Sequence, residues 1–250
     1  MIDRAGLLAR AAAAAQVLVV DLRAPAPGED DLRHLERVLR LRDGEAVSVV
    51  DGTGAWRMCA WREGGALEPT TEVAREPAAT PEIAVGFSLP KGDRPEWIVQ
   101  KLTELGVDRI EPLVTDRTVV RWDGPKAARN IERLRRIAYE AAMQCRRVRL
   151  PIVSDLAPLA PGGVLAHAGG DRATLRFPRV VVGPEGGWSQ NELVTAAATI
   201  DLGPTVLRAE TAAVTLGARL CALRADLTDC VASVKPDGEA DTVRASEHID

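Results

Sequence analysis

From residue 76 onward the sequence predicts an α/β fold, and three observations carry that prediction. Strand-like and helix-like stretches alternate after the proline-punctuated segment Glu76-Pro-Ala-Ala-Thr-Pro81, and repeated β–α units make a parallel sheet covered on both faces. A β-branched run, Val180 to Val182, stops at Gly183-Pro184 and is followed by Gly186, Gly187 and a Ser189/Glu192 capping box, so a buried strand enters a tight loop that starts a helix. The scheme then repeats: the apolar stretch Ile200 to Leu202, a Gly203-Pro204 turn, and a helix with Arg208, Glu210 and Thr211 at its mouth. In front of this, short strands and glycine turns predict a small β-barrel over residues 1 to 73.

Taken in order, Val17 to Val20 and Val47 to Val50 read as strands, and Asp51-Gly-Thr-Gly54 is the turn of a hairpin continued by Ala55 to Trp61. His34 to Arg40 reads as one or two helical turns, with no long helix in this part. Ile83 to Leu89 is the first strand of the α/β part, and Pro90 to Pro95 is a loop. Trp97, Ile98, Leu102 and Leu105 form the apolar stripe of a helix ended by Gly106, and Val107 to Val114 is the next strand. Pro125 to Cys145 is a helix with Ile131, Leu134, Ala138, Ala141 and Cys145 on one face. Leu165-Ala-His167 looks like the end of a strand.

Composition narrows the classes. The 250 residues carry a formal charge of −4, which by itself gives no sign of nucleic acid, but the charge is unevenly spread. Residues 226 to 250 hold seven acids and only Lys235 and Arg244 as bases, as a solvated acidic tail would. Residues 121 to 149 hold nine bases and three acids, and Arg129, Arg133 and Arg136 share a helix face that suits an RNA backbone. The competing reading of that face is a solvated surface with internal pairs such as Glu132–Arg136. The four cysteines form no C-x-x-C pair and the three histidines are dispersed, so spacing assembles no metal site, and free thiols suit a reducing cytoplasm. The Ala11 to Val20 run is too short to span a membrane.

The two glycine loops predict a ligand pocket at the carboxyl ends of their strands, against the alternative of two tight structural turns. No Lys-Ser/Thr follows the glycines and the spacing is not G-x-G-x-x-G, so neither phosphate-binding loop is present. Pro184 removes a backbone donor that a phosphate cradle would use. A phosphate-free ligand held by main-chain groups, such as an adenosine derivative, fits better.

Gly183-Pro-Glu-Gly-Gly187 and Leu202-Gly-Pro-x-x-Leu-Arg-x-Glu-Thr-Ala212 resemble the two C-terminal motifs of the ribosomal RNA small subunit methyltransferase E family. The resemblance continues upstream through His34-x-x-x-Val-Leu-Arg40, Lys91-Gly92, Gln100-Lys-x-x-Glu-Leu-Gly-Val107 and Gln144-Cys-x-Arg147, and covers residues 30 to 225. It implies a PUA-like β-barrel over residues 1–73, a trefoil-knotted SPOUT-class methyltransferase domain over 74–228 and an acidic tail over 229–250. It also implies a cytoplasmic homodimer that uses S-adenosylmethionine, without metal, to methylate N3 of a decoding-region uridine in 16S rRNA of the small ribosomal subunit. Carried over residue by residue, the cofactor would be held by His167, Gly183, Pro184, Gly186, Gly187, Leu202, Gly203, Leu207 and Thr211. RNA would be met by Arg40, Lys91, Arg94, Arg117, Gln144 and Arg147. A planar guanidinium stabilises negative charge spreading over the uracil carbonyls, which favours Arg208, with Arg147 next; the alternative role of Arg208 is an ion pair bracing the loop. Glu210 is the candidate general base, with water as its rival. Three positions depart from the family pattern: Ala168 where Pro is usual after the histidine, Arg146 where a small residue is common, and Ala209 where Thr is usual. Competing readings are a ribose 2′-O or tRNA-guanine methyltransferase of the same class and a non-catalytic RNA-binding assembly factor.

Overall fold

A computed structural model describes residues 4–229; the expected acidic tail, Cys230 and His248 lie outside the described residues. Among the described residues the chain forms two sheets. The first contains β1 (Ala15–Leu18), β2 (Ala46–Val50), β3 (Ala55–Arg62) and β4 (Ala66–Pro69) in that order, with β5 (Ala74–Arg75) also pairing with β3. β1 runs parallel to β2, whereas β2, β3 and β4 are antiparallel neighbours. The β2–β3 turn is set by Asp51, whose Oδ1 accepts the N–H groups of Thr53 at 2.7 Å and Ala55 at 2.9 Å.

Two features here differ from expectation. A nine-residue helix, α1 (Arg4–Ala12), precedes β1, so the alanine-rich run is split between helix and strand. The helical turns at His34 continue a preceding short helix, α2 (Glu29–Arg33), as a π-helical segment over His34–Leu39. That segment ends at Arg40, which takes a left-handed φ of 52°.

The second sheet is parallel throughout. Its order is β12 (Ala198–Asp201), β10 (Val164–Arg172), β11 (Arg179–Val182), β6 (Ala84–Ser88), β7 (Arg109–Val114) and β8 (Ile152–Val153), with β9 (Ala157–Pro158) also on β7. β6 is buried along its whole length and Val180 to Val182 are buried too, as expected of strands covered on both faces. Each fully buried Ile, Leu or Phe in this core contributes about 1.5–3 kcal/mol. Helices α3 (Arg94–Leu105) and α6 (Ala209–Asp229) pack closely because Gly217 has no side chain: a Cβ there would lie 2.6 Å from Leu102 Cδ2. Gly106 ends α3 in the left-handed conformation that its sequence position predicts. The stripe of α3 is rotated from expectation, however. Ile98, Val99 and Leu102 are buried, while Trp97 is 43 % exposed.

Helix α4 (Gly124–Gln144) joins the two sheets. Ile131, Leu134 and Ala138 enter the α/β core, while Ala142 and Met143 pack with Val148 against Val50, Trp56 and Met58 of the first sheet. Beside this contact Arg10 is 2 % exposed, lies over the Trp56 ring at 4.4 Å and pairs with Glu76 at 2.6 Å. The two sheets therefore meet through a packed apolar cluster with a buried ion pair at its edge.

Candidate active site

The two glycine loops do not come from adjacent strands. β10 lies between β11 and β12, and its bulge over residues 167–170 shares the floor of the site. Gly170 permits this crossing, because a Cβ there would meet the Thr199 backbone at 2.6 Å. At the carboxyl ends of these three strands a cavity of about 270 Å³ opens. Val182, Trp188, Leu202, Leu207 and Ala212 supply its apolar wall, and Glu185 and Asp201 are the carboxylates on its rim.

Each loop is held in shape by identifiable contacts. Trp188 is buried, donates its indole N–H to the Ala166 carbonyl at 2.8 Å, and lies against Gly183, where a Cβ would come within 2.9 Å of the ring. The following helix, α5 (Gln190–Thr195), starts with the predicted capping box: Ser189 Oγ accepts the Glu192 N–H at 3.2 Å and Glu192 accepts the Ser189 N–H at 2.7 Å. Glu192 also takes the Asp116 N–H at 2.9 Å, which ties the capping box to the turn after β7.

In the second loop, Asp201 Oδ1 accepts the Gly203 N–H at 2.6 Å and Oδ2 accepts the Gly169 N–H at 2.8 Å. These two backbone donors, Gly203 first, hold the Asp201 carboxyl below the usual carboxylate range, and the charges of Arg219 and His167 act in the same direction. One carboxylate thus joins the β10 bulge to the β12–α6 loop.

Of the residues expected to hold a cofactor, His167, Gly183, Pro184, Gly187, Leu202, Gly203 and Leu207 line this cavity. His167 sits within β10 rather than at its end. Gly186 and Thr211 are outside the lining: Gly186 turns its carbonyl to Arg117 Nη1 at 2.8 Å, and Thr211 is exposed on the first turn of α6. Arg208 is exposed between the wall residues Leu207 and Ala209, and its carbonyl accepts the Ala212 N–H at 2.8 Å. Glu210 is 17 % exposed; its Oε1 lies 3.7 Å from Arg94 Nε, while its Oε2 is buried with no hydrogen-bond partner.

The expected RNA contacts divide. Arg40, Lys91 and Gln144 have exposed side chains. Arg94 is engaged by Glu185 at 2.7 Å and by Glu210, and Arg117 by Gly186. Arg147 is 14 % exposed, and its Nη1 donates to the carbonyls of Thr103 at 2.9 Å and Val107 at 2.8 Å, so it buttresses the end of α3. The arginine-rich face of α4 is also largely paired, through Arg133–Glu96 at 3.2 Å and Arg136–Glu140 at 2.9 Å; the expected Glu132 partner is Arg135 instead. Trp188 and Asp201 are site residues that sequence reasoning passed over. The Asp-x-Gly spacing of an Asx turn was the available signal for Asp201.

A small β domain packed against a parallel α/β domain with a cavity walled by glycine loops matches a known class. A family model described as RNA methyltransferase domain matches residues 77–161 and 171–221, and one described as RNA methyltransferase PUA domain matches residues 27–60. Ribosomal RNA small subunit methyltransferase E of Mycobacterium bovis is 32% identical over 217 residues, covering 76% of this chain and 83% of that protein. The Synechocystis protein of the same name is 33% identical over 223 residues, covering 77% and 71%. The crystal structure of the Neisseria gonorrhoeae ribosomal RNA small subunit methyltransferase E bound to S-adenosyl methionine superposes with a TM-score of 0.69 at 26% identity, covering 84% of this chain and 97% of that one. The chain belongs to the ribosomal RNA small subunit methyltransferase E family.

Proposed function

We propose that this protein uses S-adenosylmethionine to methylate N3 of a decoding-region uridine in 16S rRNA of the small ribosomal subunit. The observation that carries the reading is a cavity walled by both glycine loops, with Gly183 and Gly203 both in its lining. The wall fits the cofactor chemically: backbone-rich loops and apolar side chains suit an adenosyl group, and Glu185 and Asp201 complement a cationic donor. When bound, the cofactor supplies a methyl group made electrophilic by a sulfonium.

The chain's own residues have the remaining tasks. The loops orient the donor and exclude water around it, and in-line displacement depends mostly on such positioning. Arg208, exposed between the wall residues Leu207 and Ala209, would face the uracil carbonyls and stabilise the charge that spreads there as N3 loses its proton. Glu210 Oε2, buried and without a partner, is the proposed acceptor of that proton. Arg40, Lys91 and Gln144 offer exposed polar groups to the RNA. The reading carries with it a homodimer, a cytoplasmic setting and a knotted chain path, all on family resemblance.

The test is incubation with unmodified small ribosomal subunits and methyl-labelled cofactor, followed by nucleoside mass analysis. 3-Methyluridine in 16S rRNA is the expected product. A 2′-O-methylated nucleoside, or no label in RNA, overturns the reading.

A further inference from the structure

We propose that Arg94 is a positioning residue for the cofactor site: it spans both donor-binding loops and fixes their separation, and it is not primarily an RNA contact. The inference rests on the proposed use of S-adenosylmethionine. Arg94 opens α3, on a different strand connection from either glycine loop. Its Nη1 is 2.7 Å from Glu185 Oε1, in the middle of the first loop, and its Nε is 3.7 Å from Glu210 Oε1, directly after the second. One guanidinium therefore reaches both carboxylates, with separate donors of its rigid planar fork turned to each.

The neighbouring contacts strengthen this reading. Gly186, next to Glu185, is held by Arg117 through its carbonyl at 2.8 Å. Arg117 sits in a turn anchored by buried hydroxyls: Ser88 Oγ lies 3.0 Å from Thr115 Oγ1 and 2.8 Å from Thr118 Oγ1. The same turn presents Asp116 to Ser189 Oγ at 2.5 Å. The outer flank of the first loop is thus fixed from the connections after β6 and β7, while Glu185 and Gly187 on its inner flank face the cavity. Only the Arg94 bridge reaches across to α6 among these contacts. It meets Glu210 through Oε1, while Oε2 is buried without a hydrogen-bond partner.

The test is calorimetric titration of S-adenosylmethionine into the full chain with no RNA present, for wild type, Arg94→Gln, Arg94→Lys, Glu185→Gln and the Arg94→Gln/Glu185→Gln pair. Partly exposed charge pairs are modest, so each Gln variant is expected to weaken Kd about 3- to 10-fold, with the double variant no weaker than the worse single one. Arg94→Lys should recover only part of the loss, and the apo melting temperature should stay within about 2 °C of wild type in every variant. Unchanged cofactor affinity in Arg94→Gln, or losses that simply add in the pair, overturns the inference. Should Arg94→Gln not fold, Arg94→Lys, which keeps the charge but not the fork, decides, by weakened or unchanged binding. Wild-type protein that fails to bind the cofactor refutes the underlying functional reading instead, so the two failures are distinct.

Discussion

Gly183 and Trp188 are in direct contact: a Cβ on residue 183 would lie 2.9 Å from Cε2 of the indole, and the indole N–H is already committed to the Ala166 carbonyl at 2.8 Å. The ring cannot retreat without breaking that bond or disturbing its packing with Leu113, Leu165 and Val181. The glycine is required for space, since its φ lies outside the left-handed region. Gly187 is the opposite case, with φ 69° and nothing near a Cβ.

Gly183→Ala should therefore weaken cofactor binding about tenfold or more, because overpacking at a rigid ring costs about 1–3 kcal/mol. Gly187→Ala pays only the left-handed backbone penalty, about 1–2 kcal/mol, with the loop free to relax. Calorimetry and tryptophan emission distinguish them: only the first substitution should shift the Trp188 spectrum.

Asp201→Ala should release both Gly169 and Gly203 and reduce cofactor affinity about tenfold, since two charge-assisted bonds shape the wall. The carboxyl is held below its ordinary value of 3.8, so its contribution is complete above that pH and disappears as pH falls through the shifted value. Cofactor affinity of the wild type should accordingly show no Asp201-dependent change between pH 5 and 8, measured against Asp201→Ala at each pH.

Arg147→Ala should act on folding and leave RNA affinity per folded molecule unchanged. It strips the Thr103 and Val107 carbonyls of a donor and leaves Asp108 with only Arg224 and the Ile83 N–H. A loss of about 2–4 kcal/mol is expected in urea unfolding. A drop in RNA affinity with unaltered stability would contradict this placement.

Burial raises the Cys59 thiol to about 11 from 9.0. The folded state then keeps its proton where the unfolded chain loses it, so stability is full below pH 9 and declines as pH rises towards 11, by about 2–3 kcal/mol at most. Cys59→Ala should flatten that alkaline decline in chemical-denaturation midpoints, and native Cys59 should resist alkylation at pH 8.

The sheet, the glycine loops and the helix starts were legible because local chemistry dictates them: Gly106 ends α3, and Ser189 with Glu192 starts α5 wherever the chain goes. The rotation of α3 was not legible, because Trp97 and Ile98 are both apolar and only the position of α6 and α4 decides which is covered. The partners of Arg147 were not legible for a related reason: an arginine serving carbonyls has the same letters around it as one awaiting phosphate. The bridging role of Arg94 depends on two carboxylates far away in sequence, and strand order likewise cannot be read from a chain in which β12 settles beside β10.

That late seating of β12 has a consequence for synthesis. Asp201, Gly203 and Glu210 reach the site only after nearly all of the described chain has been made, and the partners of Asp201 and Glu210, Gly169 in β10 and Arg94 in α3, lie many residues earlier. Contacts of such long sequence separation form slowly. A nascent chain ending before β12 would own every strand but the last and half a binding wall, so competence to take up a methyl donor would coincide with completion of the fold.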